Sequence, residues 1–433
     1  MSKILLKGGL VVDPASDREG KADVLIRSGR IAKIGRAIKE TGVRTLDCKG
    51  KVVCPGFIDM HVRLGEPGRE ELDTITSGGR AAVAGGFTAL AVLPGTDPVN
   101  DDAETTMALR RRAEAEAACR IHPIAALTRG REGKQLTEMG HLREAGAVAV
   151  SDADRPVTDA GILRQALDHA GMFALPVIDF PEDPSLTAGG QVHEGWVSTR
   201  LGMPGLPAVA EEHVVARDVM LSALTGSHLH LALVSTATSV DLVRQGKRGG
   251  EVVSCAVSPH HLLLEDEACA TFDTNCKVRP PLRSAQDRKA LLRGVKDGTV
   301  DCITSAHRPR HVDEKDVPFP EAEFGIAGLE STVPLVLDLL CSRSVIDLPR
   351  LVSLMSWNPA RILGLRGGTL AVGAPADVTI LDLEATTTVD PDSWLSLSRN
   401  TPLAGRELKG AVAATVVDGR VVWTRESGLA RGA

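Results

Sequence analysis

The stretch Gly56-Phe57-Ile58-Asp59-Met60-His61-Val62-Arg63-Leu64-Gly65-Glu66-Pro67-Gly68 decides how this chain is read. An apolar run ends in Asp-x-His-x, and residues two apart on a strand share a face. A second imidazole at position 63 would therefore point the same way as His61, and the two could hold one zinc through neutral nitrogens. Position 63 is arginine instead. Its guanidinium stays protonated and has no lone pair to offer a metal.

Working outward from this strand end, short apolar or β-branched runs recur with helix-like segments between them, the pattern of repeated βα units. Eight runs are predicted as strands: Val53–Ile58, Thr88–Val92, Ile121–Ala125, Ala147–Val150, Ala174–Ile178, Leu229–Val234, Val252–Val257 and Cys302–Thr304. The stretches Glu104–Ala118, Asp159–Ala170 and Val209–Leu224 are rich in Ala, Leu, Arg and Glu, which favour helix. The fold class is therefore α/β, with a (β/α)8 TIM barrel over residues 55–364. Chemistry in such barrels sits at the C-terminal strand ends. Polar punctuation falls there, at Asp59-Met60-His61, Ser151-Asp152-Ala153-Asp154, Asp179-Phe180 and Ser305-Ala306-His307.

Both ends of the chain read as short strands and turns. Residues 1–54 and 365–433 are expected to pair into a small composite β-sandwich domain. The polar stretch Arg308–Glu323, with Pro309, Pro318 and Pro320, lacks periodicity and reads as a lid-type loop.

Composition narrows the function. With 433 residues, 43% hydrophobic and 24% charged, the chain can bury a large core. A net charge of -6 with scattered Lys and Arg argues against a nucleic-acid surface, and zero tyrosines argue against base stacking. No apolar run reaches the ~18 residues of a membrane span, and the start lacks a secretory signal, so a cytoplasmic location is expected. Eight cysteines with no C-x-x-C pair suit reduced thiols. Neither a phosphate loop nor a G-x-S-x-G elbow is present.

The chain resembles the amidohydrolase superfamily, and in detail the class I dihydroorotases. The resemblance is carried by Pro55-Gly56-Phe57-Ile58-Asp59-Met60-His61, Ala84-Gly85-Gly86-Phe87-Thr88 and His193-Glu194-Gly195. It continues through Pro259-His260-His261, Pro280-Pro281-Leu282-Arg283, Phe324-Gly325-Ile326-Ala327-Gly328 and Asn358-Pro359-Ala360. It implies a zinc centre that generates hydroxide to open the cyclic amide of dihydroorotate, or helps close carbamoyl aspartate. It also places the family's ligands on this chain. Of these only His61 matches, the others falling on Arg63, Ala153, Phe180, Leu233 and Ala306, the last also the general-base position. The family's carboxylate-binding arginine falls on Gly65, one asparagine on Gly95 and another on Arg279.

Two readings follow. The first is a dihydroorotase-like protein without zinc ligands, with no catalytic residue, no metal and no cofactor expected. Like the family's non-catalytic members, it would act as a partner subunit of aspartate carbamoyltransferase, and a homo- or hetero-oligomer is expected. The alternative is an active dihydroorotase or related cyclic-amide hydrolase with a divergent, mononuclear zinc site. Its candidate ligands are His61, one of Asp152, Asp154 or Asp179, and His307. In either case Arg63, Arg279 and His307 are expected to line the pocket, with Arg63 filling the metal space and pairing with Asp59, Asp152 or Asp154. His228 and His230 share a face but lie early on their strand. His260 and His261 read as hydrogen-bonding residues of a loop.

Overall fold

Eight parallel strands lie side by side in sequence order: Phe57–Val62, Phe87–Val92, Arg120–Ala125, Ala149–Val150, Val177–Asp179, Leu229–Leu231, Val253–Val257 and Cys302–Ile303. Helices such as Ala103–Glu116, Ala160–Met172 and Val209–Thr225 fall between them, which makes the fold a (β/α)8 barrel. The structure is a computed structural model and describes residues 3–430; residues 1–2 and 431–433 of the expected terminal domain lie outside the described residues.

Alternation along the strands sorts side chains to the two faces. Ile58, Met60, Ala89, Ala91, Ile124, Ala149, Ile178, Ala232, Ala256 and Cys302 fill the barrel interior as one cluster. Phe57 and Leu90 take the other face and, with Val62 and Phe87 at the strand ends, join the main core, which includes Leu163 and Val215 from the helices. The seam between the first and last strands is closed by polar groups. The Arg63 N–H donates to the His307 carbonyl at 2.9 Å. The Asp59 carboxylate accepts from the Thr304 hydroxyl and from the Ser305 N–H at 2.9 Å. Asp59 is fully buried, so these bonds offset the cost of burying a carboxylate.

One predicted boundary is corrected. The run Val53–Ile58 divides at Gly56, where a Cβ would lie 2.0 Å from the Thr88 hydroxyl and where the N–H bonds to the Asp377 carbonyl. Val52–Pro55 belongs to the terminal sheet, straddling the expected boundary at 54/55, and the barrel strand runs from Phe57 to Val62.

Both chain ends build one nine-stranded sheet. Lys3–Asp13 pairs with Arg18–Arg27, Arg44–Asp47 and Val52–Pro55, and Val52–Pro55 joins antiparallel to Val378–Thr388 from the other end. Leu6, Ile26, Val53, Val378, Ile380 and Val416 form its core. Among the described residues no helix is long and apolar enough to cross a membrane.

Candidate active site at the barrel mouth

The C-terminal strand ends enclose a cavity of about 30 Å³ lined by His61, Arg63, Asp154, Phe180, Leu233, His260, Arg279, Ala306, His307 and Arg308, among others. Its centre is an ion cluster. Asp154 receives Arg63 at 2.5 Å, Arg308 at 3.0 Å, and Arg131. Arg131 reaches in from the segment after the third strand, steadied by a 3.0 Å bond from its Nε to the Asp152 carbonyl. Arg279 pairs with Glu182, its Nε donating at 2.7 Å.

The electrostatics follow from one carboxylate serving three guanidiniums. Burial alone would raise the Asp154 carboxyl, but Arg63, Arg308 and Arg131 hold it well below the usual range. Arg308 pays the opposite penalty: burial and the neighbouring Arg63 push its guanidinium down to about 9. His61 is driven down to about 3 by burial and by Arg63, so its imidazole is neutral. The His61 Nδ1 and the Arg308 Nε are both buried with no partner among the described residues.

Other candidate ligands are committed elsewhere. The Asp152 carboxylate accepts from the Leu127 and Thr128 N–H groups at 2.9 Å each and from the Thr128 hydroxyl, out of reach of the cavity. Asp179 also misses the mouth. The strand's alternation sends Ile178 into the barrel and Asp179 outward to Arg217 and Asp218, where burial raises both carboxyls. Asp152 and Asp179 are therefore corrected as mouth ligands. His307 lines the cavity, but its Nε2 meets Asp73 at 3.1 Å and its Nδ1 accepts from the Gly328 N–H at 3.2 Å. Both of its ring nitrogens are thereby occupied.

Of the other candidate histidines, His228, His230 and His261 have local hydrogen-bond partners, while the His260 ring lies against His261, its centroid 4.6 Å away. His228 and His230 both bond to the Ser254 hydroxyl, at 2.9 and 2.8 Å. His261 bonds Ser258 at 2.6 Å and the Pro280 carbonyl at 3.1 Å. The sequence reading missed Arg131, Arg308 and Glu182 as members of this mouth.

The fit of a metal can be judged from the side chains themselves. Phe180, Leu233 and Ala306 form a single apolar cluster, 3 to 7% exposed, at three of the positions where the resemblance places ligands. Among the described residues no group of three or more His, Cys, Asp or Glu is placed to hold an ion. A zinc site needs three or four donors. The donor set of this mouth, His61 plus an Asp154 already held by arginines, does not fit one. The backbone nevertheless keeps an unusual form at these positions. Ala153, Leu233 and Ala306 have φ of 51°, 55° and 53°, in the left-handed region.

A (β/α)8 barrel joined to a sheet from both chain ends, with polar groups at the mouth, defines the amidohydrolase class. Its fold is shared by the L-hydantoinase (dihydropyrimidinase) from Arthrobacter aurescens, at TM-score 0.90 and 24% identity over 99% of this chain and 98% of that one. The dihydropyrimidinase from Brevibacillus agri gives 0.87 and 21% over 98% and 96%. Family models for "Dihydro-orotase-like" and "Amidohydrolase family" match residues 50–239 and 262–423. The chain belongs to the dihydroorotase family. It is 49% identical to the dihydroorotase of Pelotomaculum thermopropionicum over 97% of this chain and 98% of that one. It is 45% identical to that of Geobacter metallireducens over 98% and 100%.

These relatives overturn the first functional reading. Full-length similarity at this level to proteins named dihydroorotase indicates a cyclic amidohydrolase, not a non-catalytic subunit. The expectation of no catalytic role and no cofactor is corrected with it, since membership of the dihydroorotase and amidohydrolase families points to a zinc cofactor. The side chains at this mouth stand in tension with that cofactor.

Proposed function

We propose that the protein performs dihydroorotase chemistry, the reversible opening of the cyclic amide of dihydroorotate to carbamoyl aspartate in pyrimidine synthesis. The observation that carries this reading is the end-to-end similarity to dihydroorotases at 44 to 49% identity. The mouth is compatible with such a substrate, which bears a carboxylate: four guanidiniums, of Arg63, Arg131, Arg279 and Arg308, face two carboxylates, Asp154 and Glu182. His61 presents a neutral imidazole to the same space. The apolar cluster of Phe180, Leu233 and Ala306 excludes water from one wall.

The test is an assay of the purified full-length chain in both directions, with bound zinc measured and with zinc added. Turnover that follows the enzyme concentration supports the reading. No turnover in either direction, with or without zinc, sinks it. The resemblance also suggests association with aspartate carbamoyltransferase and a cytoplasmic setting. Co-purification of the two enzymes would test the first, and cell fractionation the second.

A further inference from the structure

We infer that Arg63 and Arg308, with His61 beside them, form a carboxylate-binding subsite in the space where the amidohydrolase fold otherwise places its metal. The inference rests on the dihydroorotase reading above and names how this chain would hold the substrate.

The first argument is charge balance. Arg63, Arg131 and Arg308 share the single carboxylate of Asp154, while the Glu182 carboxylate is taken by Arg279. Among the described residues two positive charges at a largely buried mouth therefore lack a counter-charge, and leaving ions uncompensated in a low dielectric is costly.

The second argument is unmet hydrogen bonding. Among the described residues the Nε of Arg308 and the Nδ1 of His61 are buried without a partner, and both residues line the same cavity. A carboxylate satisfies a guanidinium N–H, and a neutral imidazole can pair with an adjacent amide. A ureido acid or its cyclic amide carries both groups next to each other.

The third argument is displacement of the family's own carboxylate contacts. Those positions are Gly65 and Gly95 here; backbone blocks a side chain at the first, and the Arg131 guanidinium already fills the space beside the second. A Cβ on Gly65 would fall 1.8 Å from the Arg69 carbonyl. The cationic charge here sits instead at Arg63, just past the first barrel strand, and at Arg308, in the loop after the last one. The cavity of about 30 Å³ holds about two water-sized atoms, enough for a carboxylate's oxygens but not for a ring.

Calorimetric titration of the full-length chain tests this. The probes are dihydroorotate, carbamoyl aspartate, dihydrouracil as the same ring without a carboxylate, and inorganic phosphate. The two carboxylates should bind, with dihydrouracil weaker by about tenfold or more, and Arg63→Gln and Arg308→Gln should each weaken carboxylate binding about tenfold. Thermal melts check that each variant is folded, and Arg63→Gln keeps the test open if Arg308→Gln does not fold. Equal binding of dihydrouracil, equal binding of phosphate, or unchanged binding by folded Arg63→Gln overturns the inference. Carboxylate binding without turnover leaves it standing and sinks the catalytic reading. Turnover with an unchanged KM in Arg63→Gln does the reverse.

Discussion

The Nη1 of Arg131 lies 2.6 Å from the position a Cβ would occupy on Gly95, and the Nη2 of Arg63 lies 3.3 Å from it. The space of one missing side chain is thus taken by guanidiniums from two other segments. Arg131 is only 6% exposed on its side chain and is pinned at both ends, by Asp154 and by the Asp152 carbonyl, so it cannot swing aside freely.

Gly95→Asn should therefore destabilise the fold by about 1–3 kcal/mol, the usual cost of overpacking a filled site. Arg131→Ala in the same chain should recover part of the loss, giving a coupling of about 1 kcal/mol in a double-mutant cycle. Urea midpoints of the four proteins measure this. Strict additivity would show that the two side chains do not compete for the space.

Asp154 should matter more than any one of its arginines. Asp154→Asn leaves three guanidiniums clustered without a carboxylate, and breaking a buried ion pair from one side costs about 3–5 kcal/mol. Arg63→Gln leaves Asp154 still paired with Arg131 and Arg308. It should cost about 1 kcal/mol, closer to a partly exposed pair. Denaturant unfolding that ranks Arg63→Gln as the more damaging change would refute this arrangement of charge.

Much of the barrel was legible because its signal is periodic. Ile58 and Met60, or Ala89 and Ala91, alternate into the interior as a strand demands. The same alternation would have excluded Asp179 from the mouth, since Ile178 faces inward, had it been applied at that strand. The break at Gly56 was hidden because Val53 and Ile58 are equally apolar. Only tertiary contacts show that the chain changes sheets there: Gly56 packed on Thr88, and Val52–Pro55 paired with Val378–Thr388. Arg131 was not legible. It sits on a loop with no motif and is brought to the mouth by tertiary packing, and the only sequence trace of it is the empty position at Gly95. His307 was readable as a cavity residue, but its buried partner Asp73 lies 234 positions away.

The buried histidines set an acid limit. His61 is held down to about 3, and His122, His193 and His261 to about 4, mainly by burial. Each is neutral in the fold, whereas the unfolded chain takes up a proton on each below about pH 6.5. The unfolded state then binds more protons, so stability falls as pH drops from 6.5 toward 4. At pH 4, His61 alone accounts for about 3 kcal/mol of that loss. Burial lowers His228, His230 and His260 as well, and the raised carboxyls of Asp152, Asp179, Asp218, Asp266 and Glu330 work in the opposite direction, five groups against seven. Urea midpoints at pH 7.5, 6.5 and 5.5 should decline in that order, and His61→Asn should flatten the decline. Midpoints that rise on acidification would contradict it.

Ala153 should tolerate glycine in a way that a strand alanine does not. Its φ of 51° places an L-residue in the left-handed region, which costs about 1–2 kcal/mol. Glycine removes that strain. Against this stand the lost burial of one methyl, about 0.8 kcal/mol, and the greater freedom of glycine in the unfolded chain, about 0.5–1 kcal/mol. Ala153→Gly should therefore fall within about 0.5 kcal/mol of neutral. Ala149→Gly, equally buried in the fourth barrel strand and without positive φ, should lose about 1.5 kcal/mol. Comparing the two by denaturant melts isolates the strain from the methyl. Similar losses at both sites would mean that no strain is stored at Ala153. A difference of the expected size would extend by the same reasoning to Leu233 and Ala306, whose backbones share the left-handed form at the ends of other strands. Strained backbone persists where the surrounding structure over-determines it and clusters at functional sites. Its retention at three positions that now carry only apolar side chains would then place the constraint in the barrel's strand ends themselves, independent of the residues they present.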